Sequence, residues 1–236
     1  MIDYSKTSKH APYSVNSVFT AGAVTTNAFN SDFYKKASGN HIFAADFRNN
    51  VIEVFDNQWR DVTDSYHFQA PSAVGDFHVY NILSIGGHLF VAYAKFDVNG
   101  DEGQEEVDGP GLGHVVEYNE DGTMVMDFKD QGKLNSPWGM VIAPPTFVAF
   151  ANDLLVANFG ANNIVAFDPN TGEFIDCLRD TDGKPLPVEG VWALTFGNGV
   201  SLGDAKALYY SAGPAKEFDG VFGRINVASG GSEQQK

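Results

Sequence analysis

The sequence predicts an all-β protein, a β-propeller with four recognisable blades, and three observations carry that expectation. A two-strand motif occurs twice. Ile42 to Asp56 and Asn152 to Pro169 each place Ala, then Asp or Asn, then Phe ahead of an Asn-bearing turn, and each closes on Phe-Asp. Internal repetition names an architecture more firmly than any single local motif. The motif also has weaker relatives: aligning second strands on Ala45, Ala92, Ala157 and Ala212 gives spacings of roughly 47 to 65 residues, close to the length of a four-stranded propeller blade. The third observation is composition. The chain has 19 Phe and 9 Tyr among 236 residues, an enrichment expected of strands, and no segment sustains a long apolar period of 3.6.

Residues 1–12 form a polar arm. Tyr13 to Thr20 alternates as a strand, while Gly22 to Ser38 follows neither period. Ile42 to Phe55 is the first hairpin, with Trp59 to Phe68 as its outer strand. The second blade runs His78–Leu83, His88–Ala94, His114–Tyr118 and Thr123–Phe128, interrupted by an acidic loop from Asp97 to Gly113. The third has Trp138–Ala143 inside, then the Leu154–Phe167 hairpin, then Glu173–Leu178 outside. The fourth has Val191–Phe196, Ala207–Ser211 and Val221–Val227, and ends without an outer strand. Tyr13 to Thr20 has no blade of its own. The expectation is that this N-terminal strand completes the last blade and removes an exposed sheet edge; the alternative is a partial propeller completed by another chain. The domain organisation is then an arm at 1–12, a propeller at 13–228 and a small, polar, disordered tail at 229–236.

Several runs stand in an order that identifies a relationship. They are YAKFD at Tyr93–Asp97, VDGPGLGHV at Val107–Val115, LNSPWGMVIAP at Leu134–Pro144, NDLLVANFG at Asn152–Gly160 and FDPNTGEF at Phe167–Phe174. VWALTFGNG at Val191–Gly199, LYYSAGP at Leu208–Pro214 and GVFGRI at Gly220–Ile225 complete the series. Together, over roughly residues 40–227, they resemble an uncharacterised family of bacterial and fungal β-propeller proteins similar to NHL-repeat propellers. The resemblance implies the fold and little chemistry. It also implies an extracellular or periplasmic setting, since members of that family are often secreted and carry a signal peptide. Members are longer, with further blades ahead of the matched part. Met1 to Lys6 shows no apolar leader.

The formal net charge is -15. Such a surface repels phosphate backbones and anionic lipid, so the sequence predicts neither nucleic-acid binding nor membrane insertion. No apolar run reaches the ~18 residues of a spanning helix. Cys177 is the single cysteine, so an intrachain disulfide is excluded.

Two groups of residues are candidate sites. In the acidic loop, Asp97, Asn99 and Asp101 alternate, and Asp108 stands where a closing carboxylate would. Oxygen ligands at alternate positions suit Ca²⁺. Glu102 occupies the place of the turn glycine and Asp closes the loop in place of Glu, so a solvated acidic loop is the competing reading. The second group is His78, Asn81, Asn135, Trp138 and Trp192, on or beside inner strands, where a propeller's central channel would offer aromatic and amide groups to a polar small molecule or carbohydrate. Packing between blades is the competing reading for the two tryptophans. Asp46 and Asn158 sit at hairpin turns and read equally as turn residues.

No Gly-x-Ser-x-Gly elbow occurs. None of the six histidines has His-x-x-x-His spacing, although His78 and His88 fall on adjacent strands. The expected function is a non-enzymatic binding or assembly module, with a protein partner or a second copy as its target. The alternative is a metal-dependent hydrolase or lactonase-type enzyme using a central-channel site; the inner strands offer Asn81 but few carboxylates.

Overall fold

The computed structural model describes residues 19–25, 40–69, 71, 75–97 and 106–228. The expectations for the arm 1–12, for residues 13–18 and for the tail 229–236 lie outside them. The fold is an all-β propeller of four antiparallel sheets, and the chain divides into two compact units, Met1–Pro137 and Trp138–Lys236.

The first unit holds two sheets. β1 (Phe19–Thr25), β2 (His41–Asp46) and β3 (Val51–Phe55) pair in sequence order. β4 (Phe77–Ile85), β5 (His88–Lys95), β6 (Gly113–Tyr118) and β7 (Met124–Asp127) form the second. Alternation decides the packing. Phe43 and Ala45 on β2, with Ile52 and Val54 on β3, share one core with Val79, Ile82, Leu89, Val91, Tyr93, Val116 and Tyr118 of the second sheet. Each large side chain in that layer contributes roughly 1.5–3 kcal/mol by leaving water. The β2–β3 turn is set by Asp46, whose carboxylate accepts hydrogen bonds from the backbone N–H and the Nδ2 of Asn49. Asn50 follows in the left-handed region at φ 54°, which Asn tolerates.

The second unit repeats the arrangement. β8 (Pro137–Ile142), β9 (Leu154–Asn158), β10 (Asn163–Phe167) and β11 (Phe174–Cys177) form the third sheet. β12 (Val191–Phe196), β13 (Leu208–Ala212) and β14 (Val221–Ile225) form the fourth. Leu155, Ala157, Ile164 and Ala166 of the third sheet share a core with Val191, Leu194, Leu208 and Ala212 of the fourth. The inner strands approach so closely that a Cβ on Gly139 would lie 2.3 Å from the Trp192 carbonyl oxygen. Only glycine fits there.

Three expectations change. Trp59 to Phe68 is not an outer strand: it forms one bridge, Phe55 to Asp61, and a short 3-10 turn at Thr63–Ser65. Asp56 takes the N–H groups of Gln58 and Arg60, Asp61 takes that of Thr63, and Trp59 turns left-handed at φ 61°. Local side-chain-to-backbone bonds outcompete a ladder here. The strand near the N-terminus runs Phe19–Thr25 among the described residues and pairs antiparallel with β2, so that span heads the first sheet; the closure expected of Tyr13–Thr20 lies mostly outside the described residues. The fourth sheet has three strands among the described residues, as the sequence suggested.

The third change concerns Ala212. The pairs that close the hairpins are Asp46–Val51, Asn158–Asn163 and Ala212–Val221. By that register Ser211, and not Ala212, is the equivalent of Ala45 and Ala157. A slip of one residue moves a side chain to the opposite face, and Ala212 does face back onto the third sheet.

Candidate functional site

Those of the residues singled out in sequence that the structure describes are engaged by the protein itself. His78 places Nδ1 2.6 Å from the Phe47 carbonyl oxygen and stacks on Phe96 with ring centroids 4.3 Å apart. Asn81, on the same strand, is fully buried. Asn135 accepts a 2.7 Å hydrogen bond from the Gly109 N–H. In the second unit Trp138 meets Trp192 edge to face at 5.5 Å, Phe159 stacks on Trp192 at 4.3 Å, and Trp192 donates from Nε1 to Glu217 Oε1 at 2.7 Å. The two tryptophans therefore come together, as their equivalent positions on β8 and β12 suggested. Asp46 bonds Asn49, and Asn158 donates to Asn163, the turn role foreseen for both. In the acidic loop, Asn99 and Asp101 lie outside the described residues. Asp108 accepts from Ser136 Oγ at 2.7 Å. Among the described residues no group of three or more His, Cys, Asp or Glu is placed to hold a metal ion.

The sequence reading missed a buried histidine clamp. His114 on β6 sets Nε2 2.5 Å from Asp127 on β7 and Nδ1 3.2 Å from Asp130. Burial pulls its imidazolium down, but the hydrogen bonds and charges of Asp130 and Asp127 outweigh that and hold it above the usual histidine value. Both carboxylates lie far along the chain from His114, so no short motif marks them. Also missed is a cavity of about 460 Å³ in the first unit, lined among others by Asn50, Thr63, Tyr66, Gln69, Phe77 and Tyr93. Its hydroxyl wall is ordered: Tyr93 and Tyr118 hydroxyls lie 2.9 Å apart, and Tyr118 donates to the Gln69 carbonyl oxygen. Burial, with the charges of Glu120 and Asp56, pushes the Tyr66 phenol up to about 12.

The most distinctive surface is the outward face of the fourth sheet. One pair in from the hairpin ends, Ala45–Ile52 and Ala157–Ile164 correspond to Ser211–Phe222. Ile52 and Ile164 are 5% and 0% exposed, whereas Phe222 is 76% exposed. Two pairs further along, Phe43–Val54 and Leu155–Ala166 correspond to Tyr209–Arg224. Val54 and Ala166 are buried, and Arg224 is exposed with no acceptor among the described residues. Ala193 and Thr195 of β12 are exposed too, and Tyr209 stacks on Phe222 at 5.8 Å. Beside this face the turn from Pro214 to Gly220 carries Phe218, 89% exposed. Ala215, Lys216 and Glu217 all have positive φ, 56°, 55° and 63°, a conformation that costs roughly 1–2 kcal/mol per residue. Glu189 accepting from the Ala215 N–H, and Glu217 accepting from Trp192, hold the turn.

The first sheet has a second departure, on the face turned away from its core. Glu53 pairs with Ala44, and the matching pair in the third sheet is Val156–Val165, both buried. The Glu53 Oε2 is buried without a hydrogen-bond partner. Burial, then the charges of Asp46 and Asp61, push its carboxyl up to about 7.

No family model matches the chain. It is 30% identical over 196 residues to the uncharacterized protein R648 of Acanthamoeba polyphaga mimivirus, covering 80% of this chain and 46% of that protein. It is 31% identical over 192 residues to the uncharacterized protein L690 of the same virus, covering 80% and 49%. The chain thus spans about half the length of these relatives. Among solved structures, Kuenenia stuttgartiensis hydrazine synthase aligns over 92% of this chain and 48% of its own at TM-score 0.52 and 11% identity. At that identity the likeness concerns the fold alone.

Proposed function

We propose that this protein is a non-enzymatic β-propeller module for binding and assembly, which engages a protein partner through the outward face of its fourth sheet. The observation that carries this reading is the exposure of Phe222 at a register position where Ile52 and Ile164 are buried. An aromatic left in water on a flat, rigid sheet suits an interface anchor. The neighbouring turn holds Phe218 out at a cost in backbone strain, which suits the same role. Photo-cross-linking tests this. Benzoylphenylalanine replaces Phe222 in the full chain, and a parallel variant carries it at the exposed Val148. The expected result is a protein adduct, identified by mass spectrometry, at position 222 and none at 148. No adduct at either position would sink the reading.

A further inference from the structure

We propose that the partner of this face is a second copy of the chain, whose β1–β3 sheet docks head to tail on the β12–β14 sheet. This rests on the binding-module reading and names its partner. In both units one stacking rule holds. The Ala45/Ile52 face of the first sheet packs on the second, and the Ala157/Ile164 face of the third packs on the fourth. The Ser211/Phe222 face of the fourth sheet is the same face by register, exposed at Ala193, Thr195, Phe222 and Arg224. What such a face takes, by the rule, is the opposite face of a sheet like the second or fourth. The first sheet has that opposite face, with Ile42, Ala44, Val51 and Glu53 on it, outside the core it shares with the second sheet.

The charges agree. Arg224 stands where the corresponding strands have Val54 and Ala166, and Glu53 stands where β10 has Val165. Each is an ionisable side chain at a position used elsewhere for an apolar contact, one a carboxyl and the other a guanidinium that would hold it ionised. Both lie on the third strand of their sheets, and third-strand residues do meet across the stack in the first unit, where Val54 and Val116 belong to one core. Asp61 adds to the acidic side, close enough to raise the Glu53 carboxyl. Arg224 has a free guanidinium to meet them, and Arg–carboxylate pairs are geometrically specific. A two-fold pair of this kind contains two identical junctions.

Sedimentation equilibrium on the full chain and on charge-swapped chains tests the proposal. The wild type is expected to dimerise. Arg224→Glu and Glu53→Arg are each expected to weaken self-association at least about tenfold, because like charges then face each other. Mixing the two variants in equal amounts is expected to restore the dimer, since both junctions then join opposite charges. Circular dichroism establishes that each variant is folded; if Glu53→Arg is not, Glu53→Gln replaces it in the single-variant measurement. A monomer at every concentration overturns the proposal, as does a dimer indifferent to both swaps. The benzoylphenylalanine adduct at position 222 separates the two readings. Cross-linking to the same chain supports the second copy. An adduct with a different, identified protein overturns the second copy and keeps the binding module.

Discussion

The third and fourth sheets share a strand order and a core but end differently. In the third, β10 is buried along almost its whole length and is covered by β11. In the fourth, β14 is the last strand among the described residues, and it is exposed or half-exposed throughout. Their hairpins correspond pair for pair in register, so strand pairing alone does not explain the contrast. A neighbour does. Ile164 has a sheet against it and Phe222 has none among the described residues. The lesson is that the same strand pattern yields a core or a docking face according to what lies beyond it.

The largest expected effect breaks this comparison if it fails. Leu155→Ala, in the shared core of the third and fourth sheets, should cost about 2–5 kcal/mol, whereas Phe222→Ser should stay within about 0.5 kcal/mol. Urea unfolding, at a concentration low enough that the chain is monomeric by sedimentation, measures both. A cost for Phe222→Ser as large as that for Leu155→Ala would mean that the face is covered.

A smaller effect concerns how an outer strand is fastened. The His114 clamp ties β6 to β7 in the second sheet, while in the third Arg179 pairs with Asp176 at 2.7 Å within one turn of chain. Removing the buried partner, His114→Ala, should cost up to about 3 kcal/mol. Because the folded state raises the histidine pKa, its contribution is fully present below the unfolded value of about 6.5. It fades as pH rises through the higher folded value. Stability measured by denaturant between pH 6 and pH 9 should therefore fall with pH in the wild type, and less steeply in His114→Ala. Equal slopes would show that the clamp does not bind a proton.

The smallest effect sharpens the account of the turn that carries Phe218. Lys216→Gly should raise stability by roughly 1 kcal/mol, since glycine adopts φ 55° without steric cost. A thermal midpoint that falls would mean that the lysine side chain contributes more than the backbone strain removes.

Much of the fold was legible in the sequence. Short apolar runs, some alternating and some continuous, placed β4 through β6, β8 through β10 and β12 through β14 within a residue or two, because strands buried on one or both faces are written directly into residue type. The outer segment after β3 was not legible. Trp59 to Phe68 has strand composition, yet Asp56 and Asp61 bend it through bonds that composition does not display. The candidate site was less legible still. Trp138 and Trp192 could be paired from equivalent positions in the repeat, but nothing local to His114 announces Asp127 and Asp130.

The sequence by itself determined the repeat and most of the strands, which are properties of residue order along the chain. Only the tertiary structure decided which face of each strand is covered. One residue of register turned Ala212 inward and Ser211 outward, and with Ser211 went Phe222 and Arg224. The physical reason is that a strand's two faces differ by a single step along the chain, while burial depends on a neighbouring sheet that can lie dozens of residues away.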